Sequence, residues 1–136
     1  MTDARLPPEI RAVLGNGVPA LMVTCSADGT PNATIISQVY YVDDTHVALS
    51  FQFFNKTIRN VRENPRAWAG VTDFTGQADW ALDLAFERSE TEGPIFDAMD
   101  MQIEAIASAT GMSGIFKLRA ADIYRVLSVQ KRPYQQ

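Results

Sequence analysis

The stretch ALSFQFFNKTIRNVRENP, residues 48–65, changes from strand periodicity to helix periodicity within a few residues. Its first part alternates apolar side chains with small or polar ones, which is typical of a half-buried strand. The apolar set is Val47, Leu49, Phe51 and Phe53, and the alternating set is Ala48, Ser50 and Gln52. From Asn55, Ile58 and Val61 recur at helical spacing, and Asn64-Pro65 ends the helix because proline disfavours a helical residue before it. The stretch therefore predicts a strand at residues 47–53 that leads directly into a short helix.

The first residues of this predicted helix are suited to binding an anion. Asn55 can cap the first turn, and Lys56 and Thr57 follow it. A helix start exposes unpaired N–H groups and partial positive charge, so it attracts anions. Lysine adds a full charge and threonine adds a hydroxyl donor. We interpret this junction as a phosphate site.

The basic residues around the junction allow a second interpretation. Four of them lie within eleven positions: Lys56, Arg59, Arg62 and Arg66. A solvated basic helix face, paired with Glu63 and nearby acids, accounts for the same residues equally well. Residue types alone do not decide between a phosphate site and such a face.

Length and charge restrict the classes of function. The 136 residues, 46% hydrophobic and 21% charged, predict one folded domain over residues 1–136. The net charge of -4 argues against nucleic acid as the main partner, because backbone binding requires a broad positive surface. No stretch has the roughly 18 apolar residues of a membrane span, and the amino terminus does not resemble a signal peptide, so we expect a cytoplasmic protein.

The sequence offers little for metal binding or acid–base catalysis. Cys25 is the single cysteine, so an internal disulfide and a cysteine-rich metal site are excluded. His46 is the single histidine, and no nucleophile or ligand cluster lies beside it in sequence. We therefore expect no metal site, and we identify no catalytic residue.

The remaining periodicity favours a mainly β fold with flanking helices. Strands are predicted at residues 18–25, 32–41, 47–53, 67–73, 80–88 and 115–129, the last with an interruption at residues 120–122. Helices are predicted at residues 7–14 and 95–111 beside the one after residue 55. Six strands in meander order indicate a small antiparallel six-stranded barrel. A barrel of this size fills its own interior, so a ligand site is expected outside it or between two copies.

Several short motifs occur in an order that identifies a family resemblance. They are Asp28-Gly29-Thr30-Pro31-Asn32 leading to Ser37, Leu49-Ser50, Asn55-Lys56-Thr57, Arg59-Asn60-Val61 and Asn64-Pro65. In this order and spacing they resemble the pyridoxamine 5'-phosphate oxidase-like family of FMN-binding split barrels. The resemblance extends over roughly residues 18–72.

The resemblance implies a homodimer with two FMN molecules at the subunit interface and an FMN-dependent oxidoreductase acting on a small cytosolic substrate. It implies that Lys56 and Thr57 hold the phosphate, with support from Asn55. It also implies contacts to the flavin ring or ribityl chain from Ser37, Ser50, Phe51 and Gln52. Trp80 and Arg119 are candidate contacts from the second subunit.

Two departures from the family pattern concern the substrate. The oxidases of vitamin B6 phosphates carry basic residues on the strand beneath the flavin phosphate, where this chain has Thr34-Ile35-Ile36-Ser37-Gln38. Their arginine-bearing carboxyl-terminal signature is also missing. Oxidation of a vitamin B6 phosphate is therefore not expected. The alternatives are a non-catalytic flavin-binding protein for sensing or storage, a deazaflavin or haem protein with the same barrel, and a dimer without cofactor.

Overall fold

The computed structural model describes residues 4–15, 18–51, 55–109, 111 and 117–134, without the side chains of residues 51, 55–58 and 106. Its helices are α1 (Ile10–Leu14), α2 (Asn55–Glu63) and α3 (Pro94–Ala109). Its strands are β1 (Ala20–Cys25), β2 (Pro31–Ile36), β3 (Val39–Asp43), β4 (His46–Phe51), β5 (Arg66–Asp73), β6 (Ala78–Glu90) and β7 (Ala120–Pro133). None of the described helices is long and apolar enough to cross a membrane.

The strands form one antiparallel sheet in the order β2-β1-β5-β6-β7-β4-β3. The two edge strands, β2 and β3, are separated in sequence only by Ser37 and Gln38. Such a connection spans at most about 11 Å between the Cα atoms of Ile36 and Val39. The sheet must therefore curl until its two edges approach each other at this end. This confirms the predicted antiparallel barrel.

The described residues form seven strands, so the prediction of six was wrong. Residues 32–41 were expected to form one strand, but the chain leaves β2 at Ile36 and starts β3 at Val39 on the opposite sheet edge. Ile36 pairs with Ala20 of β1, whereas Val39 pairs with Leu49 of β4. The meander order was also wrong, because β1 lies between β2 and β5 and β4 lies between β3 and β7.

The last strand differs from its prediction at its start. An interruption was expected at residues 120–122, but Ala120 is the first residue of β7 and the strand continues through these positions. Ala120, Ala121 and Asp122 pair with the end of β4. The small side chain of Ala121 is buried beneath α3 in the cluster with Met99 and Ile103. The predicted start at residue 115 lies outside the described residues.

The interior of the barrel is filled by side chains. Its core contains apolar residues from α1, α2 and all seven strands, including the fully buried Leu82, Leu84 and Tyr124. Helix α1 adds Ile10, Val13 and Leu14 to this core. A ligand as large as a flavin therefore has no room inside the barrel.

Helix α3 covers part of the outer face of the sheet. Met99 and Ile103 are buried against Ala48 of β4 and Ile123 of β7. The apolar residues of this helix are thus largely covered within the chain. Apolar residues remain exposed on the outer face of β1 and β2, where Leu21 is 38% and Ile35 is 58% accessible.

Candidate functional site

The site predicted from the sequence is centred on the start of α2. Strand β4 ends at Phe51 and α2 begins at Asn55. Asn55, Lys56 and Thr57 form the first turn of α2, so their backbone N–H groups have no acceptor within the helix. Their side chains, the side chain of Phe51 and the whole of Gln52 lie outside the described residues. The predicted change from strand to helix is confirmed at the level of the backbone.

Helix α2 is held on the sheet by its carboxyl-terminal half. Asn60 is 4% exposed, and its Nδ2 donates a hydrogen bond to Thr24 Oγ1 of β1 at 3.1 Å. The next residue, Val61, is buried in the barrel core. A Glu63 carboxylate oxygen accepts a bond from the backbone N–H of Ala27 at 3.2 Å. These contacts fix the direction of the helix and therefore the place to which its first N–H groups point.

The arginines of the basic cluster face solvent. Arg59, Arg62 and Arg66 are exposed, and none of them forms an ion pair with another described residue. Glu63, the acid expected to pair with them, instead accepts the bond from Ala27. The ion pairing expected of a solvated basic face is therefore not found in the described part of the chain.

Two of the predicted ring contacts meet at the connection between β2 and β3. Ser37 lies in this connection beside Gln38. Ser50 of β4 is 3% exposed, and its backbone N–H donates to the Gln38 carbonyl at 3.3 Å, with its hydroxyl 3.5 Å from the same oxygen. Through this carbonyl, Ser50 attaches the β2–β3 connection to β4 at the residue before Phe51. The structure places Ser37, Ser50 and the backbone of Phe51 in one region.

Gln38 is a polar residue of this region whose role the sequence did not reveal. Its side chain is 5% exposed, and its Nε2 donates to Gln102 Oε1 of α3. Its own Oε1 is buried and has no hydrogen-bond partner among the described residues. A buried unpaired oxygen is costly unless a donor reaches it. No local pattern marks Gln102 as its partner, because the two residues are 64 positions apart.

The donors and acceptors present fit an FMN molecule. The start of α2 offers N–H groups and a lysine for a phosphate, and Gln38 Oε1 offers an acceptor for a flavin N–H or a ribityl hydroxyl. Trp80 does not contribute from a second subunit, because its side chain is 3% exposed within the barrel core. Arg119 is exposed just before β7.

The only described acid buried near this region is Asp122 of β7. It is 5% exposed and accepts a hydrogen bond from the Ser89 hydroxyl at 2.6 Å. Burial raises the pKa of Asp122, and the Ser89 bond and the charge of Arg62 only partly offset this. Arg62 of α2 thus places a positive charge near enough to Asp122 to lower the pKa of its carboxyl group.

His46 is not available as a ligand for a metal or haem. Its Nε2 lies 3.0 Å from Glu87 Oε1 and its Nδ1 lies 3.1 Å from Asp43 Oδ1. Both ring nitrogens are therefore engaged, on opposite sides of the ring. Within the described residues, no group of three or more histidine, cysteine, aspartate or glutamate side chains is arranged to hold a metal ion.

Solved structures share this fold at low sequence identity. An FMN-binding protein from Syntrophomonas wolfei has a TM-score of 0.75 at 15% identity, covering 93% of this chain and 85% of that one. An F420 reductase has a TM-score of 0.65 at 14% identity, covering 92% and 98%. HutZ, the haem storage protein from Vibrio cholerae, has a TM-score of 0.58 at 18% identity, covering 97% and 92%. At these identities the likeness shows the fold alone.

Comparison of sequences gives a more specific result. No curated protein matches the chain. A family model described as pyridoxamine 5'-phosphate oxidase matches residues 6–125, which include β1 to β6, all three helices and the first half of β7. The chain therefore belongs to the pyridoxamine 5'-phosphate oxidase family.

Proposed function

We propose that this protein binds FMN, with the phosphate at the start of α2. Lys56 and Thr57 hold the phosphate, and Asn55 supports them. The observation that carries the proposal is the placement of this helix start directly after β4, anchored by the buried Asn60–Thr24 bond, within the range of the family match. A lysine and helix N–H groups form charge-assisted bonds of about 1.5 to 3 kcal/mol each with a phosphate, before desolvation is subtracted.

The flavin ring and ribityl chain lie along the β2–β3 connection and the end of β4. Their contacts in the proposal are Ser37, Ser50, Phe51 and Gln52. Gln38 Oε1 joins this set, because its burial without a partner leaves an acceptor for a donor from a ligand. In this arrangement Gln38 Oε1 accepts a hydrogen bond from the ring or ribityl chain of FMN. The N–H groups at the start of α2 donate to the phosphate at the other end of the molecule.

When bound, FMN supplies hydride or electron transfer through its isoalloxazine ring. The part of the chain is to orient the ring and tune it with backbone N–H groups and hydroxyls. We propose an oxidoreductase that reduces a small cytosolic acceptor at the expense of a nicotinamide cofactor. The absence of basic residues at positions 34–38 separates this proposal from oxidation of a vitamin B6 phosphate.

The second candidate is a protein that binds a flavin, a deazaflavin or haem without turnover. The similar structures include an F420 reductase and a haem storage protein, so this fold accommodates such ligands. Haem is the least favoured of the three, because the single histidine is held between Asp43 and Glu87. Absorption of the purified protein distinguishes these ligands, since flavin, deazaflavin and haem have different visible spectra.

We further propose that the protein is a homodimer with a flavin at each end of the interface. The exposed apolar residues Leu21 and Ile35 are cross-strand partners on the outer face of β1 and β2, and Trp68 of β5 lies beside them in register with Val23. An apolar sheet face without a covering helix is suited to a second copy. Light scattering at micromolar concentration is expected to report a dimer. A monomer would argue against a flavin site shared between subunits.

Titration of the protein with FMN and with riboflavin tests the phosphate assignment. Replacing Lys56 with Ala is expected to weaken FMN binding at least tenfold, about 1.4 kcal/mol, and to leave riboflavin binding unchanged, since riboflavin has no phosphate. Lys131→Ala is the matched control, because it removes the same charge at the far end of β7. An unchanged FMN affinity in Lys56→Ala, with the fold intact by circular dichroism, would remove the assignment.

A further inference from the structure

A cleft of about 170 Å³ lies between the end of α1, the edge strand β3 and α3. It is lined by Arg11, Leu14, Gly15, Tyr40, Tyr41 and Gln102. None of these residues is among the FMN contacts proposed above. We call this space the tyrosine cleft.

Among the described residues that line the tyrosine cleft, Arg11 is the one with a charge. Its guanidinium carbon lies 4.9 Å from the centroid of the Tyr41 ring, which holds the side chain in place by a cation–π contact. No described carboxylate lies within 4.0 Å of Arg11. Its N–H groups at the mouth of the cleft therefore remain donors for an anion.

Gln102 supplies a second donor to the cleft. Its Oε1 accepts the bond from Gln38 Nε2, which orients the amide and leaves the two hydrogens of Gln102 Nε2 as donors. Gln102 is exposed, and its Nε2 forms no hydrogen bond with another described residue. The cleft has two donor side chains, the cationic Arg11 and the neutral Gln102, and no acidic residue among its described lining residues. This combination favours an anionic ligand.

The walls of the cleft are aromatic. Tyr40 and Tyr41 are consecutive residues of β3, so their side chains leave opposite faces of the strand. Tyr40 packs against the cluster beneath α3, and Tyr41 packs against the barrel core. Both rings are half-buried and hence fixed in orientation. Both residues line the cleft at the edge of the sheet, so a ligand in the cleft meets aromatic ring atoms from each.

The size of the cleft limits the ligand. A volume of about 170 Å³ corresponds to roughly five or six water molecules at about 30 Å³ each, well below the roughly 300 Å³ at which drug-sized sites begin. One aromatic ring with one carboxylate suits a cleft of this volume.

We propose that the tyrosine cleft binds a small aromatic carboxylate. Arg11 and Gln102 donate to the carboxylate, and Tyr40 and Tyr41 contact the ring. The site goes beyond the proposed flavin site and does not depend on it, because α1 and α3 supply both of its donors. It borders the flavin region at the start of β3, where Tyr40 follows Gln38 by two residues, and through the Gln38–Gln102 bond.

Benzoate is the probe that tests the proposal, with binding followed by saturation-transfer NMR on the full chain. Saturable binding is expected, and it is expected to weaken at least tenfold in Arg11→Gln. Arg5→Gln is the matched control, because Arg5 is also exposed and amino-terminal but pairs with Asp44 at 2.8 Å. Equal affinities in the wild type and Arg11→Gln, or equal weakening in both variants, would overturn the proposal.

Benzyl alcohol provides a test on the wild-type protein, so the result does not depend on the folding of a variant. It keeps the ring and removes the charge, so it is expected to bind at least tenfold more weakly than benzoate. Equal binding of the two probes would show that the charge of Arg11 plays no part. Because these titrations are made without flavin, their outcome is separate from that of the FMN titration.

Discussion

The imidazole Nε2 of His46 lies 3.0 Å from Glu87 Oε1, although the two residues are 41 positions apart. This contact joins the start of β4 to β6. On the other side of the ring, Nδ1 lies 3.1 Å from Asp43 Oδ1 and 2.8 Å from the Thr45 hydroxyl. Partial burial lowers the pKa of His46, but the bonds and charges of Glu87 and Asp43 outweigh it and hold the pKa above its usual 6.5.

His46→Gln is therefore expected to have a pH-dependent effect on stability. Because the pKa is higher in the folded state, the stabilisation by the charged ring is complete below about pH 6.5 and is lost as the pH rises through the folded pKa. The wild type should exceed His46→Gln by up to about 1 kcal/mol in the free energy of unfolding at low pH. Urea unfolding at several pH values measures this difference. If the difference in the free energy of unfolding did not change with pH, the stabilising role of the charged His46 ring would be contradicted.

Asp122→Asn is expected to stabilise the protein at neutral pH. The pKa of Asp122 is raised above 3.8 in the folded state, chiefly by burial, so the folded protein holds this proton more tightly than the unfolded chain. Its favourable contribution is thus present below about pH 3.8 and is lost as the pH rises through the folded pKa. The variant should have a higher melting temperature at neutral pH, and this advantage should vanish in acid. Asp100→Asn, at an exposed position of α3, is the control and should change neither value.

Asn60→Ala is expected to loosen α2. It removes the 3.1 Å bond to Thr24 and leaves a buried hydroxyl without this partner, which costs about 1 to 3 kcal/mol of stability. Arg59→Ala changes the neighbouring exposed residue and should stay within about 0.5 kcal/mol of the wild type. Urea unfolding compares the two. A loss in Arg59→Ala as large as that in Asn60→Ala would contradict the role given to the bond between Asn60 and Thr24, since alanine does not weaken a helix by its propensity.

Gly70→Ala is expected to displace the Trp68 ring. The indole lies across Gly70, where an added Cβ would come within 2.6 Å of a ring carbon. Crowding of this kind costs about 1 to 3 kcal/mol, and the ring must move. The tryptophan emission spectrum and urea unfolding report both effects. The cost should largely disappear when Gly70→Ala is combined with Trp68→Leu, and an undiminished cost in the double variant would place the strain elsewhere.

The local elements could be read from the sequence because their causes lie within a few residues. The change of period at Asn55 and the stop at Asn64-Pro65 predicted α2, which extends from Asn55 to Glu63. Asp28-Gly29 is also a typical turn sequence, and the structure has a turn there between β1 and β2, with Gly29 at φ 86° and its N–H bonded to the Ser26 carbonyl at 3.0 Å. The assignment of Lys56 and Thr57 to a phosphate stays a prediction.

The sequence did not predict the contacts between residues that are far apart in the chain. Nothing at Ser37-Gln38 resembles a turn signal, since neither residue is glycine or proline, and yet the chain passes there from one edge of the sheet to the other. The seventh strand, the strand order and the bond between Gln38 and Gln102 depend on that passage.

The sequence by itself determined the antiparallel β character, the position of α2 and the family, because alternation, capping residues and motif order are properties of neighbouring positions. Only the tertiary structure decided which strands pair, which acid is buried and which polar atoms meet. Those outcomes depend on how the sheet closes. Closure brings together residues such as His46 and Glu87, which are far apart in the chain and whose contact no local sequence pattern predicts.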